Sequence, residues 1–94
     1  MMRVTMYTTR YCPYCVAARE LLDSLEIEYH DIDVGGDRAL RSEMERRAGR
    51  HTVPQIWIGN RHVGGFDDMD ELHQRGLLKP LLDEITQTAE TGNA

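Results

Sequence analysis

The order of β-rich and helical segments restricts the possible fold more than any other feature of the sequence. Residues 4–8 (VTMYT) and residues 27–34 (IEYHDIDV) contain the residue types that favour strands. Between them, apolar residues recur at helical spacing behind Pro13, which suits the first turn of a helix. Because a β-α-β unit crosses over right-handedly, the two strands should lie parallel in one sheet.

The second half of the sequence extends this unit. Asp37 as N-cap and Gly49 as C-cap predict a second helix, and Gly59-Asn60 between two β-rich runs predicts a hairpin. The segment after the hairpin predicts two short helices, interrupted at Gly76 and Pro80. The resulting order is β-α-β-α-β-β-α(-α), an α/β fold with a four-stranded mixed sheet flanked by helices.

Length and charge limit the classes of protein. A chain of 94 residues predicts one domain, residues 1–94, whose residues 86–94 form a frayed tail. The net charge of -5 argues against binding of nucleic acid, which needs a positive surface. No apolar run reaches the ~18 residues of a membrane helix, and the first residues lack the apolar stretch of a signal peptide. We therefore expect a cytoplasmic protein with no nucleic-acid or membrane partner.

Two cysteines, Cys12 and Cys15, are the only ones in the chain. A disulfide between them would close so short a loop that it would restrain little of the unfolded chain. A structural zinc site needs four ligands, and the four histidines are spread over separate elements without the short spacing of a metal-binding helix. We therefore expect no metal site, and a reactive pair of thiols is the favoured interpretation.

The position of Cys12 suits a nucleophile. It lies just ahead of the predicted helix, whose N-terminal N–H groups and positive potential stabilise a thiolate. Arg3, Arg10 and Arg19 are the only charged side chains before Glu20, so the flank of Cys12 is positive. Cys15 lies one turn later and deeper, where it can attack a mixed disulfide formed on Cys12. A Cys-x-x-Cys motif near a β-α-β pattern is typical of thioredoxin-like redox proteins.

Two other stretches each allow two interpretations. In HTVPQIWIG, Pro54 either simply begins a strand or follows a cis bond that turns the backbone groups of Val53 toward the thiol. In GGFDDM, the acidic pair Asp67 and Asp68 either caps a helix or opens a helix N-terminus that holds a carboxylate. The sequence alone leaves both questions open.

Taken together, CPYC at residues 12–15, TVPQIWIG at residues 52–59 and GGFDD at residues 64–68 resemble a dithiol glutaredoxin of the bacterial type. The resemblance runs from about Val4 to about Leu82 and implies a thioredoxin-like fold. It also implies that Cys12 is the nucleophile and Cys15 the resolving thiol.

The same resemblance implies a glutathione site. Val53 would pair its backbone with the cysteinyl unit, Phe66 would offer an N–H group to the γ-glutamyl carboxylate, and Asp67 would meet the γ-glutamyl ammonium. The implied glutathione contacts are Tyr14, Thr52, Val53, Pro54, Gly65, Phe66 and Asp67.

The sequence departs from the family pattern at two basic positions. The family often has a Lys three residues before the first cysteine, where this chain has Thr9 followed by Arg10. The position before Thr-Val-Pro is often basic and meets the glycyl carboxylate, and here it is His51, preceded by Arg50. Arg10, Arg50 and His51 are therefore supporting candidates, as is Pro13 within the motif.

The implied activity is reduction of protein–glutathione mixed disulfides and protein disulfides, with glutathione as co-substrate and no tightly bound cofactor. The implied partners are glutathionylated or disulfide-containing client proteins, and we expect a monomer. One alternative is a thioredoxin-like electron donor reduced by a flavoprotein reductase. Another is a glutathione-dependent iron–sulfur cluster carrier, although proteins with that role tend to have a small residue in place of Pro13.

Several bulky residues are predicted to serve packing or solvation rather than the site. Trp57 is expected to pack under a helix, and Arg46 and Arg47 are expected to lie on a solvated helix face. The tyrosines expected to pack are Tyr7, Tyr11 and Tyr29.

Overall fold

The computed structural model describes residues 4–83, and the predicted frayed tail at residues 86–94 lies outside this part. The predicted element order is confirmed. The elements are β1 (Val4–Thr8), α1 (Pro13–Ser24), β2 (Tyr29–Asp33), α2 (Arg38–Ala48), β3 (Gln55–Ile58), β4 (Arg61–Gly64) and α3 (Phe66–Gln74). Residues 78–83 are also helical. No helix in the described range is long and apolar enough to cross a membrane.

The four strands form one mixed sheet in the order β2-β1-β3-β4. β1 pairs in parallel with β2, as the β-α-β pattern predicts, and antiparallel with β3. β3 and β4 form the predicted hairpin, with a register shift between Ile56 and Trp57. The ends of β1 and β2 therefore lie beside the start of β3, and this brings the loop before α1 next to the loop before β3.

Local capping explains where the helices begin and end. Pro13 occupies the first turn of α1. The Asp37 side chain accepts a hydrogen bond from the backbone N–H of Leu40 at 3.0 Å and so caps α2, which ends at Gly49 in the left-handed conformation with φ of 69°. The prediction that Pro80 interrupts the last helix is wrong. Pro80 lies in the first turn of residues 78–83, where a backbone N–H is not needed.

Apolar residues cover both faces of the sheet. On one face α1, α3 and the last helix pack against Val4, Met6, Ile56 and Ile58. On the other face α2 covers a smaller cluster around Trp57. The smaller cluster contains Tyr7, Val34, Met44 and Trp57. The predicted packing of Trp57 under a helix is confirmed.

One packing prediction is wrong, and one residue that is exposed as predicted also makes further contacts. Tyr11 is 87% exposed, because it lies in the loop before α1 rather than on a strand or helix face. Arg47 does more than face solvent. Its guanidinium lies 4.6 Å from the centroid of the Trp57 ring and donates a hydrogen bond of 2.9 Å to the Tyr7 hydroxyl. A guanidinium over an aromatic ring is attracted to the face of that ring, so α2 shields Trp57 through a charged residue.

Candidate active site

Cys12 is the N-cap residue of α1, and its carbonyl oxygen accepts the first helical hydrogen bond from Val16 at 3.0 Å. No side chain caps this helix, and its first turn contains no acidic residue. The half-buried Cys12 sulfur lies 3.6 Å from the carbonyl oxygen of Val53. An uncapped helix N-terminus therefore faces a reactive sulfur beside the loop that precedes β3.

Cys15 is fully buried one turn along α1, as predicted. Burial is the largest cause of a shift that raises the pKa of the Cys15 thiol to about 12. The neighbouring Cys12 raises it further, whereas the backbone of Thr9 and the charge of Arg19 lower it. Cys15 therefore remains a thiol at neutral pH, which keeps it from competing with Cys12 as the attacking group.

An open cavity of about 330 Å³ lies beside Cys12. All seven residues predicted to contact glutathione line it, together with Arg50 and Asp68. The lining residues are Tyr14, Arg50, Thr52, Val53, Pro54, Gly65, Phe66, Asp67 and Asp68. Three separate segments of the sequence thus meet around one space, and this space holds both an extended backbone edge and a helix N-terminus.

The two questions that the sequence left open have structural answers. The Val53–Pro54 peptide bond is cis. The acidic pair divides its roles, because Asp68 accepts a hydrogen bond from the backbone N–H of Gly65 at 2.9 Å and caps α3, whereas the exposed Asp67 side chain borders the cavity. Asp68 therefore takes the capping role, and the start of α3 opens onto the cavity beside Asp67.

Asp68 also binds Arg50 across the cavity. The Arg50 guanidinium lies 2.9 Å from the Asp68 carboxylate, so this ion pair joins the loop before β3 to the start of α3. The hydrogen bond from Gly65 and the contact with Arg50 lower the pKa of Asp68. Asp68 was not among the predicted site residues, although its place as third residue of a helix is where an acidic capping partner is expected.

Comparison with known proteins identifies the family. The glutaredoxin family model matches residues 4–63. A glutaredoxin of Pseudomonas aeruginosa is 48% identical over 79 residues, which cover 84% of this chain and 94% of that protein. Glutaredoxin 3 of Escherichia coli is 46% identical over 82 residues, which cover 87% of this chain and 99% of that protein. The chain belongs to the glutaredoxin family.

A solved structure agrees with this assignment. The crystal structure of a buckwheat glutaredoxin–glutathione complex matches with a TM-score of 0.81 at 32% identity, covering 87% of this chain and 77% of that one. The fold is thus thioredoxin-like, as the motifs implied. As a glutaredoxin, the protein is a glutathione-dependent thiol–disulfide oxidoreductase. This favours glutathione over a flavoprotein reductase as the source of electrons.

Three of the four supporting candidates do not line the cavity of this glutaredoxin, namely Arg10, Pro13 and His51. Arg10 is exposed and lines a different cavity, together with Tyr11 and Asp33. His51 is exposed, and its carbonyl oxygen accepts a hydrogen bond from Arg41. Of the three basic candidates, only Arg50 reaches the cavity.

One arginine of the predicted positive flank of Cys12 is neutralised. Arg19 forms an ion pair of 2.7 Å with Asp31 on β2, and the same guanidinium donates to the Thr8 hydroxyl at 2.9 Å. Because Asp31 reaches this place only through the pairing of β1 with β2, the sequence around Cys12 could not reveal it.

Proposed function

We propose that Cys12 is the nucleophile and Cys15 the resolving thiol of this glutaredoxin, and that glutathione occupies the cavity beside them. The observation that carries the proposal is the meeting of all seven predicted contacts around one cavity next to the Cys12 sulfur. The uncapped N-terminus of α1 lies at the Cys12 sulfur, and the buried Cys15 remains protonated until it is needed.

The one-thiol route uses Cys12 alone. Its thiolate attacks the glutathione sulfur of a protein–glutathione mixed disulfide, the old sulfur–sulfur bond breaks, and the protein leaves as a thiolate that takes a proton from water. The thiolate of a second glutathione then attacks the glutathione sulfur on Cys12. Glutathione disulfide is released and the Cys12 thiolate is restored.

The two-thiol route adds Cys15. Cys12 attacks a client disulfide and forms a mixed disulfide with one client sulfur, while the other client sulfur leaves as a thiolate. Cys15 then loses its proton to water and attacks the Cys12 sulfur, which forms the Cys12–Cys15 disulfide and releases the second client thiolate. Because the charge of Cys12 is one cause of the raised pKa of Cys15, forming the mixed disulfide removes an obstacle to this step. Two glutathione molecules reduce the Cys12–Cys15 disulfide in turn and leave as glutathione disulfide.

Each polar end of the γ-glutamyl unit finds a partner at the start of α3. The N–H group of Gly65 is taken by Asp68, and the N–H groups of Phe66 and Asp67 belong to the first turn, where a helix provides no partner of its own. They suit the γ-glutamyl carboxylate. The Asp67 carboxylate suits the ammonium group, and the backbone of Val53 suits the cysteinyl unit.

Two matched serine variants test the roles of the thiols. Cys12→Ser should abolish activity on every disulfide, because both routes begin with Cys12. Cys15→Ser should still reduce a glutathione–peptide mixed disulfide but lose reduction of a protein disulfide. Coupled assays with glutathione on the two substrates measure this. Activity of Cys12→Ser on the mixed disulfide, with none in Cys15→Ser, would reverse the proposed roles.

We further propose that the protein works as a cytoplasmic monomer on glutathionylated or disulfide-containing clients, without a tightly bound cofactor. The dithiol motif with Pro13 supports this, because cluster carriers among its relatives tend to have a small residue there. An absorbance spectrum and the sedimentation of freshly purified protein test it, since a cluster-bound dimer would be coloured and twice the mass.

A further inference from the structure

Gln55 is a fully buried polar residue that the proposed mechanism does not use. It is the first residue of β3 and directly follows Pro54. Its side-chain nitrogen donates to the Thr52 carbonyl oxygen at 3.0 Å and lies 3.2 Å from the Thr52 hydroxyl oxygen. Its side-chain oxygen lies 2.7 Å from Nε2 of His62 on β4. A continuous chain of hydrogen bonds thus runs from β4 to the loop that lines the cavity.

The chemistry of these groups determines the direction of the hydrogen bonds. A carbonyl oxygen only accepts, so the Gln55 amide must turn its nitrogen toward Thr52. Its oxygen then faces His62, and Nε2 of His62 must carry a hydrogen. Reversing the amide would place its oxygen against the Thr52 carbonyl oxygen, and two facing acceptors are costly for a buried group.

The His62 side chain is held in place by the contact of its ring with Trp57. The imidazole packs on the Trp57 ring with 4.6 Å between centroids and an interplanar angle of 32°. Burial, followed by the charges of Arg50 and Arg47, lowers the pKa of His62, and the opposing charge of Asp68 does not offset them. The imidazole is therefore neutral near neutral pH, so its tautomer decides whether it can donate to Gln55.

We infer that His62 and Gln55 are positioning residues for the glutathione site. They hold the Thr52 carbonyl turned into the protein interior, so that the next residue, Val53, presents its backbone to the cavity. Val53 then places its carbonyl oxygen 3.6 Å from the Cys12 sulfur. This inference rests on the proposed role of Val53 in binding glutathione. It assigns a function in substrate binding to two residues that do not line the cavity.

A matched pair of variants at His62 tests the inference. His62→Phe keeps an aromatic ring against Trp57 but removes the donor, whereas His62→Gln can place an amide N–H near the position of Nε2. KM and kcat are measured with a glutathione–peptide mixed disulfide, and the rate of Cys12 with a small uncharged disulfide is measured in parallel. Thermal unfolding of each variant shows whether it is folded.

The expected result is selective. His62→Phe should raise KM for the mixed disulfide by about tenfold, the effect of one buried hydrogen bond, while the rate with the small uncharged disulfide changes by less than about twofold. His62→Gln should recover most of the KM. Equal losses on both substrates, or a His62→Phe variant that matches the unaltered protein, would overturn the inference.

The tautomer gives a test that does not depend on a variant folding. Long-range proton–nitrogen NMR spectra of the unaltered protein should show His62 protonated at Nε2, with slow exchange of that hydrogen. Protonation at Nδ1 alone would refute the inference even if every variant unfolded. If the unaltered protein showed no glutathione-dependent turnover, that result would refute the proposed function instead. The two failures are therefore distinguishable.

Discussion

The N-termini of α1 and α3 both border the cavity, yet they are built differently. The first turn of α1 has a cysteine as N-cap, a proline after it, no side-chain cap and no acidic residue. The first turn of α3 has two acidic residues, and Asp68 caps it through Gly65. In α1, the positive end of the helix therefore faces the Cys12 sulfur and no competing acidic group. The start of α3 offers both N–H donors and a carboxylate, which matches a group that carries charges of both signs.

The largest expected effect concerns the carboxylate of α3 that faces the cavity. Asp67→Ala should slow turnover of a glutathione mixed disulfide by roughly ten- to a hundredfold, because a charge-assisted contact typically contributes about 1.5–3 kcal/mol. Reaction of Cys12 with a small uncharged disulfide should change little. Steady-state kinetics on the two substrates measure the difference, with Asp67→Asn as the variant that removes only the charge. Equal losses would mean that Asp67 serves the helix and not the ligand.

The next largest effect concerns Gly64, whose backbone lies close to the Asp68 carboxylate at the start of α3. Gly64 has φ of 121°, and a Cβ atom there would lie 2.3 Å from the Asp68 carboxylate. Gly64→Ala should lower the free energy of unfolding by about 2 kcal/mol or more, from the unfavourable backbone conformation and the displaced cap. Gly36→Ala is the matched control, because Gly36 has φ of 80° with no atom within 4 Å. Denaturant unfolding measures both, and similar losses would show that Asp68 moves freely.

A smaller effect tests the cap itself. Asp68→Asn should lower the free energy of unfolding by about 1 kcal/mol at neutral pH, since it weakens both the contact to Gly65 and the ion pair with Arg50. The folded-state pKa of Asp68 is lowered, so its stabilisation is complete above the unfolded pKa of about 3.9 and is lost as the pH falls through the folded value. The difference between the two proteins should therefore shrink below about pH 4. A difference that grows in acid would contradict this assignment.

The smallest expected effect comes from a substitution that makes the first turn of α1 resemble that of α3. Tyr14 is the second residue of α1, the position that Asp67 holds in α3. Tyr14→Asp should slow alkylation of Cys12 by a small uncharged reagent about two- to fivefold, because a carboxylate there competes with the thiolate for the helix N-terminus. Tyr14→Asn is the uncharged control and should alter the rate less. An unchanged rate in both would mean that the N-terminus of α1 contributes little to the reactivity.

Sequence patterns predicted what depends on residues close together in the chain. Strand β1, the helix that begins at Pro13, the cap at Asp37 and the hairpin at Gly59-Asn60 all follow from local signals and are present in the structure. The resemblance added the identity of the residues that line the cavity, because three short motifs in a given order are specific even when each is common alone. The bounds of β2 were too wide, since strand ends depend on the length of the neighbouring strand.

The tertiary structure alone decided which charges meet. Arg50 and Asp68 are 18 residues apart and pair only because β4 returns the chain to the cavity. Arg19 is neutralised by Asp31 through the pairing of β1 with β2, and Tyr11 is exposed because its loop projects past the sheet. Capping and periodicity act over a few residues, whereas an ion pair or a buried hydrogen bond such as Gln55 to His62 depends on the packing of distant segments. The amino-acid sequence by itself therefore determined the elements and the reactive thiols, and packing determined the charges and hydrogen bonds around them.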